Sequence, residues 1–438
     1  MKISEMTSVS ALQGSELIEI VQDGVSHKAT LNDLWNASPN AAGVYPDVPL
    51  NRVTIKRFSG QTATNITLSD NVGLVDMIKK TAYPVLLDRN SKIAAYLNGS
   101  DITKTVDGLP ATLNDWTIQV MTRVGGFYTK YEYDATNNIK IFKYSPFKVS
   151  GYRYVRRRFL NCYGGTVVTN GSTQYLVSNS GQWTTQNYNI QQYHAFAKNL
   201  GSSYREIALQ DTEVYRIYFW LMHLTFNSQS VYNGVVGIDW NKWWNTANSA
   251  SGASNCGQFF QTGVTNAIAG HEGQQSQTYT YGDNTTVQIS PYKFLWREGM
   301  MSGPYWIWNT GYIKKNGIWY KPNDLANIAF DVTNNYTELC ADCPNSGWQL
   351  EEYEDTMIPT QVGGSDTTGH SDYYWRNGTD TKDDVYASLC VGGANYGSYV
   401  GLSCLNSGSG VSYANANFGG ALASDDPTDP TPDGTVAS

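Results

Sequence analysis

The side chains able to do covalent or metal chemistry are few and poorly grouped for it. Cys340 and Cys343 form a C-x-x-C, half of a zinc-type ligand set, but no second such pair and no spaced His pair accompanies them. Cys390 and Cys404 could face each other on neighbouring strands, as thiols in a reducing cytosol. His194 falls on the apolar face of an expected helix and reads as a hydrogen-bonded packing residue. His223 closes another helix, where a cation suits the dipole. Adjacent carboxylates occur at Glu351-Glu352, Glu354-Asp355 and Asp383-Asp384. Glycoside hydrolysis needs paired carboxylates, but acidic runs of this kind read as solvated loops. The run Arg156-Arg157-Arg158 could contact phosphate or a carboxylated sugar, or form a charged strand edge that discourages edge-to-edge pairing. There is no phosphate loop, dinucleotide-binding glycine fingerprint, H-E-x-x-H or G-x-S-x-G. The sequence therefore assigns no catalytic residue, no metal ligand and no cofactor.

A different chemistry is concentrated at 371–423. Ser371-Asp372-Tyr373-Tyr374-Trp375-Arg376-Asn377-Gly378 is followed by Val391-Gly392-Gly393-Ala394-Asn395-Tyr396-Gly397-Ser398-Tyr399-Val400-Gly401 and then by a Ser-, Asn- and Gly-rich run to Leu422. Tyr offers a large contact area with few rotatable bonds, while Ser, Gly and Asn offer adaptable hydrogen bonding. Antibody-type binding loops use the same palette for those reasons. The composition favours recognition over catalysis, and Tyr373, Tyr374, Trp375 and Asn377 are candidate ligand contacts on that ground.

The elements that must hold these residues are mostly strands. The 438 residues carry 13% aromatic side chains but only 16% charged ones, with a net charge of −8, which argues against an electrostatic nucleic-acid binder. No apolar run approaches the roughly 20 residues of a membrane span. Residues 1–36 form a unit: a hairpin of Leu17–Val21 and Ser26–Thr30 about an Asp23-Gly24 turn, then a short helix capped by Thr30. A hairpin this small is marginal alone and must pack on a partner. Residues 37–70 read as an extended connector. Short strands follow at Tyr83–Leu87, Ile93–Leu97, Trp116–Met121, Phe127–Tyr131 and Ile139–Ile141, an antiparallel pattern. Two helices are expected. Ile190, Tyr193, His194 and Ala197 share one face of the first, which Gly201 stops. Val214, Ile217, Tyr218, Leu221 and Met222 share a face of the second, which Asp211 or Thr212 starts. Trp306-x-Trp308 puts two rings on one side of a strand. Residues 424–438, with four Asp, three Pro and no basic residue, read as a flexible solvated tail.

In order along the chain, these features resemble the phage tail-fibre receptor-binding proteins that carry a C-type-lectin-like (formylglycine-generating-enzyme-like) domain, a fold shared with the variable proteins of diversity-generating retroelements. The resemblance rests on Tyr83–Leu87 through Tyr96-Leu97-Asn98-Gly99-Ser100-Asp101, the helix pair followed by Asn227-Ser228-Gln229, Trp306-Ile307-Trp308-Asn309-Thr310-Gly311, and Gly392-Gly393, Gly397, Gly401 and Gly419-Gly420-Ala421-Leu422. It covers roughly 71–423. The family's closing Arg is absent, and Gly299-Met300 and Ser302-Gly303 stand where it has Glu-Asn and Trp-Gly. Residues 1–36 are similar to a module common at the start of phage tail proteins, through Ile3-Ser4-Glu5, Gln22-Asp23-Gly24 and Thr30-Leu31-Asn32-Asp33-Leu34.

The resemblance implies an α+β, β-rich chain: a virion-anchoring module at 1–36, a connector at 37–70, a C-type-lectin-like receptor-binding domain with long loop insertions at 71–423, and an acidic tail at 424–438. It implies a non-enzymatic adhesin of the virion surface, made in the host cytoplasm and, by family habit, homotrimeric. Its partners would be a host glycan or protein and other virion proteins, with no nucleic acid and no membrane insertion. Carried over by position, the ligand contacts are Asn395, Tyr396, Ser398, Tyr399, Ser403, Asn406, Ser409, Ser412 and Tyr413. Two alternatives stay open: an oxidase on the same fold holding copper at Cys390 and Cys404, and a capsule depolymerase.

Overall fold

Near its end the chain returns to the middle of a sheet begun more than three hundred residues earlier. Leu422–Asp425 lies between Arg158–Asn161 and Tyr204–Glu206 in a six-stranded antiparallel sheet that continues through Gln119–Val124, Tyr83–Leu87 and Ile93–Tyr96. This computed structural model describes residues 74–137, 139–239, 241–242, 259–299, 305–376 and 383–437, with the backbone of strands Leu17–Gln22, Val25–Thr30, Val53–Phe58 and Thr67–Ser69. The chain is β-rich α+β, with several antiparallel sheets and one curled mixed sheet. Leu17–Gln22 and Val25–Thr30 pair as the expected hairpin, whereas the short helix after Thr30 lies outside the described residues. Val53–Phe58 pairs along its length with Ile139–Ser145 in a five-stranded sheet. That part of the expected connector is therefore built into the body.

The mixed sheet runs Tyr336–Ala341, Ile318–Pro322, Trp306–Lys315, Val385–Val391, Gly401–Gly410, Tyr373–Trp375, Gly347–Glu352 and Pro359–Val362. Both faces of its centre are buried, and strand alternation sorts the side chains between two cores. Ile307 faces a core built around the helix Leu209–His223, with Tyr215, Tyr218, Phe219 and Trp220. Trp306 and Trp308 face the other core, with Tyr193 and Ala197 of the helix Ile190–Lys198.

Local chemistry sets both helices. Asn189 caps the first by accepting from the Gln192 backbone N at 2.9 Å, while Gln192 Oε1 accepts from the Asn189 N at 3.0 Å, a reciprocal capping box. His194 sits half-buried against Phe330, and burial with Lys198 and Arg205 nearby pushes it down to about 4, so it is a neutral packing residue. The second helix starts at Leu209, earlier than the sequence suggests. Asp211 is its N3 residue, and its carboxylate accepts from the Ala208 N at 2.8 Å. This helix is buried around most of its circumference, which is why it carries so many aromatic residues.

Two acidic segments correct the sequence reading. The tail is bonded to the body rather than solvated. Asp426 lies 3.3 Å from Arg123 Nε and 3.4 Å from Arg157 Nε, Asp433 lies 2.9 Å from Arg158 Nη2, and Asp429 accepts from the Tyr154 hydroxyl at 2.7 Å. Gly434 and Ala437 donate backbone N–H groups to the carbonyls of Tyr154 and Tyr152. The Arg156–Arg158 run is thus covered by a strap of opposite charge, not left as an open edge. Glu351 and Glu352 are likewise buried. Glu351 meets Lys140 Nζ at 2.6 Å, and Glu352 takes Arg216 Nη1 and lies 3.1 Å from His370 Nε2. In both cases the neutralising cations come from distant parts of the chain.

Asp211 joins Arg158 and Arg205, all three at most 2% exposed. Burial alone would raise its carboxyl, but Arg205 and Arg158 hold it well below the ordinary value. Asp211→Ala would strand two buried guanidinium groups and is expected to cost about 3–5 kcal/mol in chemical denaturation. Because the folded carboxyl is depressed, its contribution is complete above its unfolded value of about 4 and fades as pH falls below it. Wild type should therefore lose stability over that acidic window more steeply than Asp211→Ala. Deleting residues 426–438 should lower stability by about 1–3 kcal/mol and lengthen retention on a heparin column, since Arg123 and Arg157 lose their counter-charges. Unchanged retention would show that the strap does not mask this charge.

Candidate functional site

Three adjacent strands and one short loop gather the aromatic side chains of the C-terminal third. Tyr373–Trp375 runs parallel to Gly401–Gly410 and antiparallel to Gly347–Glu352, in a register that sets Trp348 opposite Tyr373 and Asn406 opposite Trp375. Alternation then puts Tyr373 and Trp375 on the outer face and Tyr374 on the inner one. After Val385–Val391 comes the 3₁₀ turn Ala394–Tyr399, which carries Tyr396 and Tyr399. Gly397, at φ 56° and ψ −127°, breaks the turn between them in a conformation that side-chain-bearing residues avoid. The chain enters this loop through Gly392, where a Cβ would stand 2.1 Å from Val400 Cγ1, so only glycine fits.

The result is a continuous aromatic platform. Tyr399 stacks on Trp348 with centroids 4.9 Å apart and planes 17° from parallel, and meets Tyr373 edge-on at 4.9 Å. Tyr373 lies 4.6 Å from Trp375, Trp375 lies 5.1 Å from Tyr396, and both Trp375 and Tyr396 rest edge-on against Trp306. Trp306 is the buried base at 2% exposure, and Tyr399 is the outer rim at 42%. Edge-to-face and offset contacts at these separations are the favoured geometry for ring pairs, and each adds about 0.5–1.5 kcal/mol beyond area burial.

Polar groups behind the platform fix its backbone. Gln229 Nε2 donates to the carbonyl of Gly397 at 2.9 Å and also to that of Val400, holding the aromatic loop at two points. Ser228 Oγ accepts from the Leu402 N at 3.0 Å. Asp372, directly before Tyr373, is buried and accepts from the Ser403 N at 2.6 Å. Burial pushes its carboxyl far up, despite that bond and nearby Arg216. On the inner side the Tyr374 hydroxyl donates to Asp342 at 2.5 Å, and Asp342 also accepts from Lys314 Nζ at 3.1 Å and Arg376 Nε at 2.8 Å.

The candidate contacts therefore divide. Tyr373, Trp375, Tyr396 and Tyr399 belong to the platform, Ser398 is exposed beside Tyr399, and Asn395 and Asn406 are half-buried at its margin. Ser403, Tyr374 and Ser409 are corrected to interior positions. Ser403 is fully buried with Arg216 Nη1 3.2 Å from its Oγ, Tyr374 is fully buried on Asp342 and Ser407, and Ser409 is 8% exposed. Ser403 and Tyr374 point to the inner face, whereas Ser409, past a register shift, is buried opposite Ala387. Ser412 and Tyr413 are exposed at another place, where the Tyr413 ring meets Phe418 and the Ser412 carbonyl faces Asn189. Asn377 lies outside the described residues. Trp348 and Gln229 were missed as contributors. An isolated Trp between Gly347 and Gln349 was a visible signal, though only the register shows what it meets.

The cysteines form no part of the exposed platform, though Cys404 lies in the core beneath Trp375 and Tyr396. Cys390 and Cys404 are fully buried, and burial pushes both thiols up. Cys340 is half-buried, with its thiol pushed up to about 12 by burial and by Asp342. Among the described residues no group of three or more His, Cys, Asp or Glu side chains is disposed to hold a metal ion.

No known family model matches this chain, and no curated protein matches it significantly.

Gln229→Ala removes both side-chain ties to the aromatic loop. A loss of about 1.4 kcal/mol, as expected for such bonds, corresponds to roughly tenfold faster amide exchange over residues 394–402. Exchange in the helix Leu209–His223 should be unaltered. Equal acceleration in both places would mean that Gln229 supports the fold generally rather than this loop.

Proposed function

We propose that this chain is a receptor-binding protein of a bacteriophage tail fibre, a non-enzymatic adhesin that grips a glycan or protein on the host bacterial surface. In this reading residues 71–423 form a C-type-lectin-like domain, residues 1–36 attach it to other virion proteins, and the working assembly is a homotrimer. The observation that carries the reading is the aromatic platform. Rings already packed against one another lose little freedom on binding, and their flat faces suit the apolar face of a sugar or an exposed side chain. Ser398, Asn395 and Asn406 at the margin supply hydrogen-bonding groups, and three copies of a weak site on one fibre would give avidity.

Two features favour adhesion over the enzymatic alternatives. A copper-thiolate oxidase needs accessible thiolates, whereas Cys390 and Cys404 are sealed in the core with thiols held protonated by burial. A depolymerase needs two carboxylates facing substrate, whereas Glu351 and Glu352 are consumed by Lys140, Arg216 and His370.

The test is binding of the purified full chain to a bacterial glycan array and to a panel of intact cells, beside Trp348→Ala and Tyr399→Ala. Losing one stacked ring should weaken binding by about 1–3 kcal/mol, some 5- to 150-fold, without changing the melting temperature by more than a few degrees. Bound polysaccharide should release no reducing ends on long incubation. Undiminished binding by both variants would remove the platform from the reading, and released reducing ends would replace adhesion with cleavage.

A further inference from the structure

A cavity of about 520 Å³ lies where the C-terminal strap crosses the helix Leu209–His223, and it shares no lining residue with the aromatic platform. Its volume falls within the roughly 300–1,000 Å³ of small-molecule sites. One side is apolar, made by Val214 and Ile217 of the helix and by Pro430 and Pro432 of the strap. The rest is polar, and its charges are unevenly committed.

The cations separate clearly. Arg158 is 2.9 Å from both Asp211 and Asp433, Arg156 is 3.8 Å from Asp425, and Arg153 is 3.9 Å from Asp355. Lys321 is the one lining cation with no carboxylate in ion-pair range among the described residues. The nearby Glu213 is buried, accepting from the Met357 N at 2.9 Å and from the Tyr312 hydroxyl at 3.1 Å. Burial raises its carboxyl to about 7 against the pull of Lys321 and Arg216, so near neutrality it is only partly ionised. Acceptors stand at the exposed side: Asn323 Oδ1, which takes one bond from Thr337, and the Asp324 carboxylate, whose oxygens each take one bond, from the Ala326 N and from Asn327 Nδ2, so lone pairs remain on all three.

One uncommitted ammonium, exposed acceptor oxygens with lone pairs remaining and an apolar wall describe a ligand with one anionic group, hydroxyl donors and a flat C–H face. We propose that this cavity is a second binding site, for a carboxylate-bearing sugar of the uronic acid class, with Lys321 holding the carboxylate and the strap prolines covering the ring. The site is independent of the aromatic platform and adds a selection for acidic saccharide that the platform's uncharged rings do not make.

The experiment titrates the full chain with glucuronic acid and with its uncharged methyl ester, followed by calorimetry and ligand-observed NMR. The acid should bind at least about tenfold more tightly than the ester, the worth of one charge-assisted contact. Lys321→Ala should abolish that preference and Lys321→Arg should keep it. Ala326→Trp, a bulky ring at the mouth of the cavity, should block both compounds and serves if the lysine variants fold poorly. Equal binding of acid and ester, no binding at millimolar concentration, or a preference untouched by Lys321→Ala would overturn the proposal. Loss of binding in Tyr399→Ala but not in Ala326→Trp would assign the sugar to the platform and overturn it equally, while leaving the adhesin reading intact.

Discussion

Everything in the body is tied to the buried meeting of Asp211 with Arg158 and Arg205. Arg158 and Arg205 stand on the two strands that flank Leu422–Asp425, and Asp211 stands at the start of the most buried helix. One carboxylate thus joins the returning C-terminal strand's two neighbours to the helix on which the main core is built. The strap extends the arrangement outward, because Asp425 meets both Arg205 and Arg156, Asp426 and Asp429 meet Arg157, and Asp433 meets Arg158. Such a buried cluster is not a cheap source of stability, since desolvation offsets much of its attraction. Its effect is specificity: any other docking of the last strand would leave several buried charges unpaired.

This closure is what makes the aromatic surface rigid. The segment that presents Tyr396 and Tyr399 belongs to a chain fixed at both ends, by the pairing of Val385–Val391 with Trp306–Lys315 before it and by the Leu422–Asp425 strand after it. Between those points the backbone is held by Gln229, Ser228 and Asp372, each reaching from another segment. The inner face of the same strands is filled by the Arg216, Glu352 and His370 group and by Lys314 with Asp342. A strand that is polar inside and aromatic outside reverses the usual order. It is stable here because every inner charge named has its counter-charge and the outer rings pack on one another.

How much of this was legible in the sequence depends on the distance over which each feature is decided. The strands from Tyr83 to Ile141 and the aromatic identity of Tyr373, Trp375, Tyr396 and Tyr399 are local, and composition and spacing carried them. The face on which a residue lies is not local. Ser403 and Tyr374 have the same character as Tyr399 but sit one strand position out of phase with the surface, and only pairing with neighbours sets that phase. The acidic segments misled for a related reason. Asp426, Asp429, Glu351 and Glu352 look solvated as long as their partners, Arg123, Arg157, Lys140 and Arg216, are read as remote residues. Trp348 stands out locally as an isolated Trp, but its role does not, because its stacking partner Tyr399 is brought to it by two strand registers.

The same residues bear on why an aromatic face, rather than a charged one, is presented. With 16% charged residues and the described Arg run already engaged by the strap, the chain has little charge to spare for long-range attraction. Contact must then come from area and shape, which act only at short range and require the surface to be formed beforehand. Tyr399 stacked on Trp348 meets that requirement, because its neighbours bear the cost of orienting it before any partner arrives. A loose tyrosine in a glycine-rich loop would lose that freedom on binding instead. The close glycine turns at Gly392 and Gly397 therefore have a function opposite to flexibility: they let the loop fold tightly enough for its rings to reach the sheet.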